Sequence, residues 1–297
     1  MSPKRVLITG GTGFLGSHAA RTLSSHGYDI TRTARNPKTG IEAIIGDLNN
    51  EDFVASLKKY DAIVHLAGNV SVNHVIRSPV EGIKNNIIPT LHLLEKTNED
   101  RSMFIYASSD KVYGSPGKAV VSEGDAICPM DPYGASKAAS ENIITSFART
   151  YGCRTAIIRF GNIYGPGQEG DLFIPSVIAQ IRKSDRIQVG PVGSFRNFIF
   201  VSDAVAAIET VLAGDVCGTF NAATDNARMS DVLQTLLKIA EKYTEKRFIV
   251  ISDKAAGRPA SVEADRFELD CKKMLGAGWK PGYDLKKGLE ESYLGSG

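Results

Sequence analysis

Tyr133 and Lys137, four residues apart in YGASK at 133–137, bring a phenol and an ammonium to one face of a helix. A hydroxyl stands upstream, Ser109 in SSDKVYG at 108–114. A free phenol, with a pKa near ~10, is a poor base at neutral pH. A neighbouring cation, together with a positively charged nicotinamide, would favour the phenolate, so Lys137 is expected to help bring the Tyr133 pKa toward the working range. Ser109 would hydrogen-bond the oxygen of an alcohol or ketone while Tyr133 moves its proton. That is equipment for hydride transfer at a carbinol carbon.

These side chains need elements to hold them. KRVLITG at 4–10 reads as a short apolar strand, with its core at about 5–9. GGTGFLGSHAARTLSSHG follows, and its Phe14, Leu15, His18, Ala19 and Leu23 recur at helical spacing. The glycines form G-x-x-G-x-x-G. Gly10 permits a tight strand-to-helix turn, Gly13 lets backbone approach a diphosphate, and Gly16 lets the helix pack close to a sheet. The N–H groups around Phe14 and Leu15 would face the phosphates. Further strands are read at about 29–33, 42–45, 61–65, 102–107 and 154–160, with helices between them. The alternation predicts an α/β fold with a doubly wound parallel sheet. A ligand crevice belongs at the strands' carboxyl ends, where Gly10, Asp47, His65–Gly68, Ser108–Ser109 and Phe160–Asn162 fall.

Beyond about residue 165 the pattern loosens. GPGQEGD is a turn cluster, LFIPSVIAQIRK a helix and RIQV a short strand. FIFVSDAVAAIETVLAG reads as a strand followed by a helix capped by Ser202 or Asp203. MSDVLQTLLKIAEKY reads as an amphipathic helix capped by Ser230 or Asp231. The expected division is a main unit over 1–165 and a smaller lobe over 166–297, with a segment at about 196–222 returning to the main sheet.

Composition sets limits. A chain of 297 residues can bury a large core, and 42% hydrophobic with 23% charged residues is ordinary for a globular protein. Net charge is +2 with basic residues spread along the chain, which implies no nucleic-acid or membrane patch. Cys128, Cys153, Cys217 and Cys271 lack C-x-x-C or metal-ligand spacing and read as reduced thiols; the five histidines form no metal constellation. The opening MSPKRVLITG lacks the long apolar stretch and cleavage site of a secretory leader, and no apolar run could span a bilayer. A soluble, cytoplasmic protein is expected.

Block by block, the chain resembles the extended short-chain dehydrogenase/reductases of the nucleotide-sugar epimerase/dehydratase family. The matching blocks are GGTGFLG (10–16), GDL (46–48), HLAG (65–68), SSDKVYG (108–114), PYGASK (132–137), RFGNIYGPG (159–167), RNFIFVSDAV (196–205) and GWKP (278–281). The resemblance implies a Rossmann-like sheet with a small α/β C-terminal substrate lobe, in a homodimer. It implies that Ser109, Tyr133 and Lys137 are catalytic. Gly10, Gly13, Phe14, Leu15 and Gly16 would meet an NAD(P) diphosphate, and Asp47 the adenine amino group. Leu48, Leu66, Ala67, Gly68 and Ser108 would also line the cofactor side, with Tyr133 and Lys137 at its nicotinamide end. Arg196 and Arg258 match arginines that clamp a substrate diphosphate, and Asn162 an asparagine that binds the same region. Ser71, with Val72, Asn73 and His74, would border the hexose.

Three positions stand out against the family pattern, and the first two bear on the reaction. Ala34, followed by Arg35, stands where NAD-binding relatives end the second strand in an acidic residue; Asp29 comes too early to reach the ribose. Losing the carboxylate removes repulsion against a 2′-phosphate, and Arg35 offers that phosphate a bidentate partner, with Arg32 a second cation nearby. NADP is therefore expected, with NAD as the alternative. Asp110 and Lys111 occupy the positions after Ser109 where 4,6-dehydratases carry an acid–base pair. Pro89, in NNIIPTLHLLE, stands where the family helix has glycine and should remove one helix hydrogen bond and kink it. The expected function is modification of a nucleoside-diphosphate sugar through a 4-keto species, first as a 4-epimerase. Alternatives are an NADPH-dependent 4-keto-sugar reductase and a 4,6-dehydratase. More distant is a dehydrogenase or reductase of a lipophilic alcohol or ketone, which needs no diphosphate clamp.

Overall fold

The computed structural model describes residues 3–253 and 266–295. β1 (Arg5–Thr9) leads through the glycine turn into α1 (Phe14–Ser25), then β2 (Asp29–Ala34) and β3 (Ile44–Ile45). α2 (Glu51–Ser56), β4 (Ala62–His65), α3 (Val72–Arg77) and the long α4 (Pro79–Asp100) follow. β5 (Met103–Ser109) runs into a 3-10 turn over Asp110–Tyr113, and after β6 (Val120–Val121) come α5 (Pro132–Tyr151) and β7 (Arg154–Phe160). Next are β8 (Asn162–Tyr164), α6 (Phe173–Lys183), β9 (Arg186–Val189), β10 (Phe195–Phe200) and α7 (Val201–Gly214). β11 (Gly218–Ala222), β12 (Asp225–Arg228), α8 (Met229–Tyr243) and β13 (Ile249–Ser252) continue the chain. β14 (Glu268–Leu269), α9 (Lys272–Gly276) and α10 (Leu285–Leu294) complete it.

Seven parallel strands form the main sheet in the order β11-β7-β5-β4-β1-β2-β3. Alternate residues face opposite layers, as strand geometry requires. Val6 and Ile8 pack against Ala19 and Leu23 of α1, Ala204 and Ile208 of α7, and Trp279. Leu7, Ile63 and Phe104 face the other way, onto Leu93 and Leu94 of α4 and Ile144 of α5. Burial on both faces explains why these strands read as continuous apolar runs. Strand order reverses at β1, whose last residue Thr9 lies opposite Thr33 of β2 and His65 of β4. A crevice must open there, beyond the carboxyl ends.

A second sheet, β12-β10-β8, carries the smaller lobe. Its Phe198 and Phe200 pack with Ile174 and Ile178 of α6, Leu236 of α8 and Leu289 of α10. The return to the main sheet begins later than residue 196. β10 stays in the second sheet, whereas α7 packs on the main core and β11 becomes the main sheet's edge beside β7.

Two helix starts differ from the sequence expectation. α7 begins at Val201, and Asp203 in its first turn caps nothing locally; it accepts hydrogen bonds from the Gly282 and Tyr283 N–H groups at 2.8 and 3.0 Å. α8 begins at Met229 without a side-chain cap. The Met229 and Ser230 N–H groups donate to the Ser194 and Val192 carbonyls instead, which satisfies two of the first donors of the helix without a capping side chain. Among the described residues, no helix is long and apolar enough to cross a membrane, and no group of three or more His, Cys, Asp or Glu could hold a metal.

Candidate active site

A cleft of about 1400 Å³ opens where β1 and β4 end. Ser109, Tyr133, Lys137, the Gly10–Gly16 turn, Arg35, Asp47, Ser71, Asn162 and Arg196 all line it; Arg32 and His65 do not, and Arg258 lies outside the described residues.

Gly10 shapes the floor, with φ +65°, and a Cβ there would lie 2.9 Å from the Ala67 backbone. A Cβ on Gly16 would lie 2.1 Å from the Gly10 carbonyl oxygen, so α1 reaches this close to the turn only because residue 16 is bare. The first turn of α1 holds no acidic residue, and Gly13 offers no side-chain cap. The N–H groups of Phe14, Leu15 and Gly16 thus start a helix without intrahelical acceptors, a setting that fits a diphosphate. Across the crevice, the Thr9 hydroxyl accepts from Ala67 N–H at 3.2 Å, and lies 2.7 Å from His65 Nδ1. His65 is pushed down to about 3 by burial, with Lys137 adding to it, and stays neutral. It braces the Leu66–Gly68 turn rather than exchanging protons.

Tyr133 and Lys137 project from the start of α5, where the Asp131 carboxylate accepts from Gly134 N–H and Pro132 opens the helix. A Cβ on Gly134 would lie 2.7 Å from the Lys111 carbonyl, so this glycine lets α5 approach the turn that follows Ser109. Ser109 Oγ accepts from the Lys111 N–H at 3.2 Å. Tyr133 is buried. Burial pushes its pKa up; the Ser109 hydroxyl opposes this, and the Asp110 and Asp131 carboxylates add to it. Lys137 is not among the groups that move it, so the chain's own residues do not by themselves supply the lowering expected from Lys137 together with a nicotinamide. Lys137 Nζ donates to the Ala107 carbonyl at 2.7 Å and lies 4.6 Å from the Tyr106 ring centre. Its own pKa is pushed down to about 8 by burial, against the raising effect of Glu141.

At the far end of the same half, Ala34 closes β2 and Arg35 follows it into the cleft wall. Arg35 Nη2 donates to Asn85 Oδ1 at 3.3 Å and lies 3.7 Å from Asp47 Oδ1. The Asp47 carboxyl is held below its usual range by the Asn49 N–H, with the Asn49 amide, Arg35 and Lys84 helping against burial. Arg32 does not line the cleft; its stem packs on Gly11. α4 continues through Pro89, and Glu81, Asn85 and Pro89, one turn apart, all face the cleft.

On the other side, Asn162 Nδ2 donates to the Asn197 carbonyl at 3.0 Å, and Arg196 Nη1 to the Phe195 carbonyl at 2.7 Å. Ser71 caps α3 by accepting from His74 N–H, and His74 Nε2 lies 4.0 Å from Glu81.

Sequence reasoning missed two groups. Glu141, one turn beyond Lys137, is buried; its carboxylate accepts from Ser108 Oγ and takes a forked bond from Arg159. The ladder 133–137–141 was its available signal. Asn85 was also missed; its Oδ1 accepts from both Arg35 and Asn49. The 81–85–89 stripe on α4 pointed to it.

The sequence matches the model of the NAD dependent epimerase/dehydratase family over residues 6–223. A protein of Methanocaldococcus jannaschii named "Putative UDP-glucose 4-epimerase" is 30% identical over 300 residues, covering 96% of each chain. A dTDP-glucose 4,6-dehydratase of Xanthomonas campestris pv. campestris is 30% identical, covering 95% of this chain and 90% of that protein. Among solved structures, MoeE5 in complex with UDP-glucose and NAD is similar with a TM-score of 0.86 and 27% identity, covering 98% of this chain and 97% of that one.

Proposed function

The chain belongs to the NAD-dependent epimerase/dehydratase family of enzymes, and from that premise we propose that it acts on a nucleoside-diphosphate sugar through a 4-keto species, as a 4-epimerase. One observation carries the reading. Ser109, Tyr133 and Lys137 share a cleft with the glycine turn on one side and with Asn162 and Arg196 on the other. A cation and an amide placed opposite the dinucleotide half suit a second phosphate-bearing ligand.

A nicotinamide dinucleotide bound along the Gly10–Gly16 turn supplies the hydride acceptor and donor. The chain's residues do the rest. Phe14, Leu15 and Gly16 present N–H groups to its diphosphate, Asp47 and Leu48 border the adenine, and Leu66, Ala67, Gly68 and Ser108 form the wall between. Arg196 and Asn162, with Arg258, hold the substrate diphosphate, and Ser71 borders the sugar. Ser109 Oγ holds the C4 oxygen while Tyr133 takes and returns its proton, and the Lys137 ammonium stabilises phenolate. Inversion would follow if the keto sugar turns over in the site, so that hydride returns to the other face of C4 while Tyr133 gives the proton back to the oxygen. Within this reading the cofactor is NADP, because Ala34 removes the acidic ribose partner and Arg35 stands at that end. The assembly is a homodimer joined at α4, where Pro79, Val80, Ile83 and Ile87 form an apolar strip with Val80 82% exposed.

A second reading, an NADPH-dependent 4-keto-sugar reductase, is favoured by Ala34 and Arg35, since a preference for NADP suits net reduction. The purified protein should be incubated with UDP-, dTDP-, GDP- and CDP-sugars, with and without NADPH. An epimer of unchanged mass supports the first reading, and a product that gains two hydrogens only with NADPH supports the second. Failure of every nucleotide sugar to bind or react would end both. In calorimetry NADP(H) should bind more tightly than NAD(H), and Arg35→Asp should reverse the order.

A further inference from the structure

Asn197 is buried in β10, and each polar group of its side chain has a partner. Its Nδ2 donates to Asp110 Oδ2 at 3.2 Å. Its Oδ1 accepts from Asn226 Nδ2 at 3.2 Å and from Leu269 N–H at 3.4 Å. Two donors at the oxygen and a carboxylate at the nitrogen fix the amide's orientation, since the flipped form would oppose like groups at both ends. Its backbone carbonyl receives the Asn162 amide. A Cβ on Gly161 would lie 2.9 Å from that same carbonyl, so the bare residue 161 permits the approach.

Asp110 is also buried and directly follows Ser109, whose Oγ lies 3.4 Å from Asp110 Oδ1. A buried carboxylate needs a donor, and Asn197 brings one from the second sheet. We infer that Asn197 is a positioning residue: its amide fixes the Asp110 carboxylate beside Ser109 and Tyr133, and its carbonyl fixes Asn162 on the substrate side. One residue thereby sets the spacing between the proton-transfer pair and the substrate lobe. The inference rests on the reading of Ser109 and Tyr133 as that pair.

Several charged or titratable groups surround Tyr133. Asp110 approaches from the turn, with Lys111 beside it. Asp131 and Lys137 lie on its own helix. α3 packs on its ring through Val72 and Val75 and carries His74 and Arg77. His74 lies 4.0 Å from Glu81 of α4, and Arg77 Nε donates to the Asn73 carbonyl. Among these groups, Asp110 is the one that Asn197 controls.

Asn197→Asp tests this with little change of shape. One carboxylate oxygen keeps the bonds from Asn226 and Leu269, and the other now opposes Asp110. Two carboxylates in contact raise the folded-state pKa of the pair above unfolded values. The penalty is therefore absent at low pH and grows as pH rises through that raised range. Melting temperature should fall increasingly below wild type between about pH 5 and 8. Adding Asp110→Asn restores a carboxylate–amide pair and should restore the wild-type pH dependence. A single variant that tracks wild type at every pH overturns the inference.

Turnover of whichever nucleotide sugar the wild type accepts supplies the second readout. Added negative charge makes phenolate scarcer for oxidation and the phenol a weaker acid for reduction. kcat of Asn197→Asp should fall on the order of tenfold at neutral pH. KM should stay within roughly twofold, because the carbonyl that holds Asn162 is untouched. An unchanged kcat beside a shifted melting profile makes Asn197 structural only and also overturns the inference. If the wild type turns over no nucleotide sugar, the functional reading fails, and the melting series alone decides whether Asn197 holds Asp110.

Discussion

Tyr133 keeps its proton more firmly than a free phenol, because the helix that delivers it also buries it between two carboxylates. If it is the proton carrier, Tyr133→Phe should lower turnover by about 10²–10⁴-fold while cofactor affinity by calorimetry stays close to wild type. A variant that keeps more than about a tenth of kcat would remove Tyr133 from that role. Lys137 supplies the opposite charge under strain of burial, with its pKa pushed down to about 8. Its ammonium persists below that pH and is lost above it, so activity that needs the cation should hold at neutral pH and decline beyond about 8. Glu141 favours the charged form. Glu141→Gln should therefore lower the Lys137 pKa further and bring the decline to lower pH, read from kcat across a pH series. An unmoved decline would show that Glu141 does not support the cation.

At the scale of elements, the glycine turn and its helix make the sharpest demand. Gly16→Ala places a methyl against the Gly10 carbonyl oxygen, which belongs to backbone and cannot swing aside. We expect a loss of about 1–3 kcal/mol in stability, measured by denaturant unfolding, together with weaker cofactor binding. Gly13→Ala, whose Cβ would lie 3.2 Å from the same oxygen, should be milder. This turn was legible in the sequence because its logic is local: strand, three glycines, helix, all within a few residues. The same holds for the main strands and for YGASK. Ser202, Asp203, Ser230 and Asp231 misled because their neighbours' N–H groups find acceptors, or their carboxylates find donors, far along the chain. Asp203, for example, serves Gly282 and Tyr283. The pairs Asn197–Asp110 and Arg159–Glu141 were illegible for the same reason, since no spacing rule links residues on different strands and helices. The burial that raises the Tyr133 pKa was likewise illegible, because the spacing of Tyr133 and Lys137 says nothing of how deep the phenol lies.

Among the described residues, α4 leaves an apolar strip uncovered from Pro79 to Ile87. A homodimer joined there predicts a dimeric mass by sedimentation equilibrium, and Ile83→Glu should shift the protein to monomer with its secondary structure intact. A wild type that sediments as a monomer at micromolar concentration would refute the dimer. The main sheet, for its part, is not assembled from the first half of the chain alone. β11, at its edge beside β7, and α7, across its face, arrive only after the chain has built β8, α6, β9 and β10 of the substrate lobe. The polypeptide is thus stitched through both lobes. Severed near residue 165, an N-terminal fragment would expose the β7 edge and the apolar face under α7, and would tend to pair with other chains. A main sheet closed by late-arriving β11 predicts that amide hydrogens of β7 and β11 exchange together through global opening, which native-state hydrogen exchange would measure.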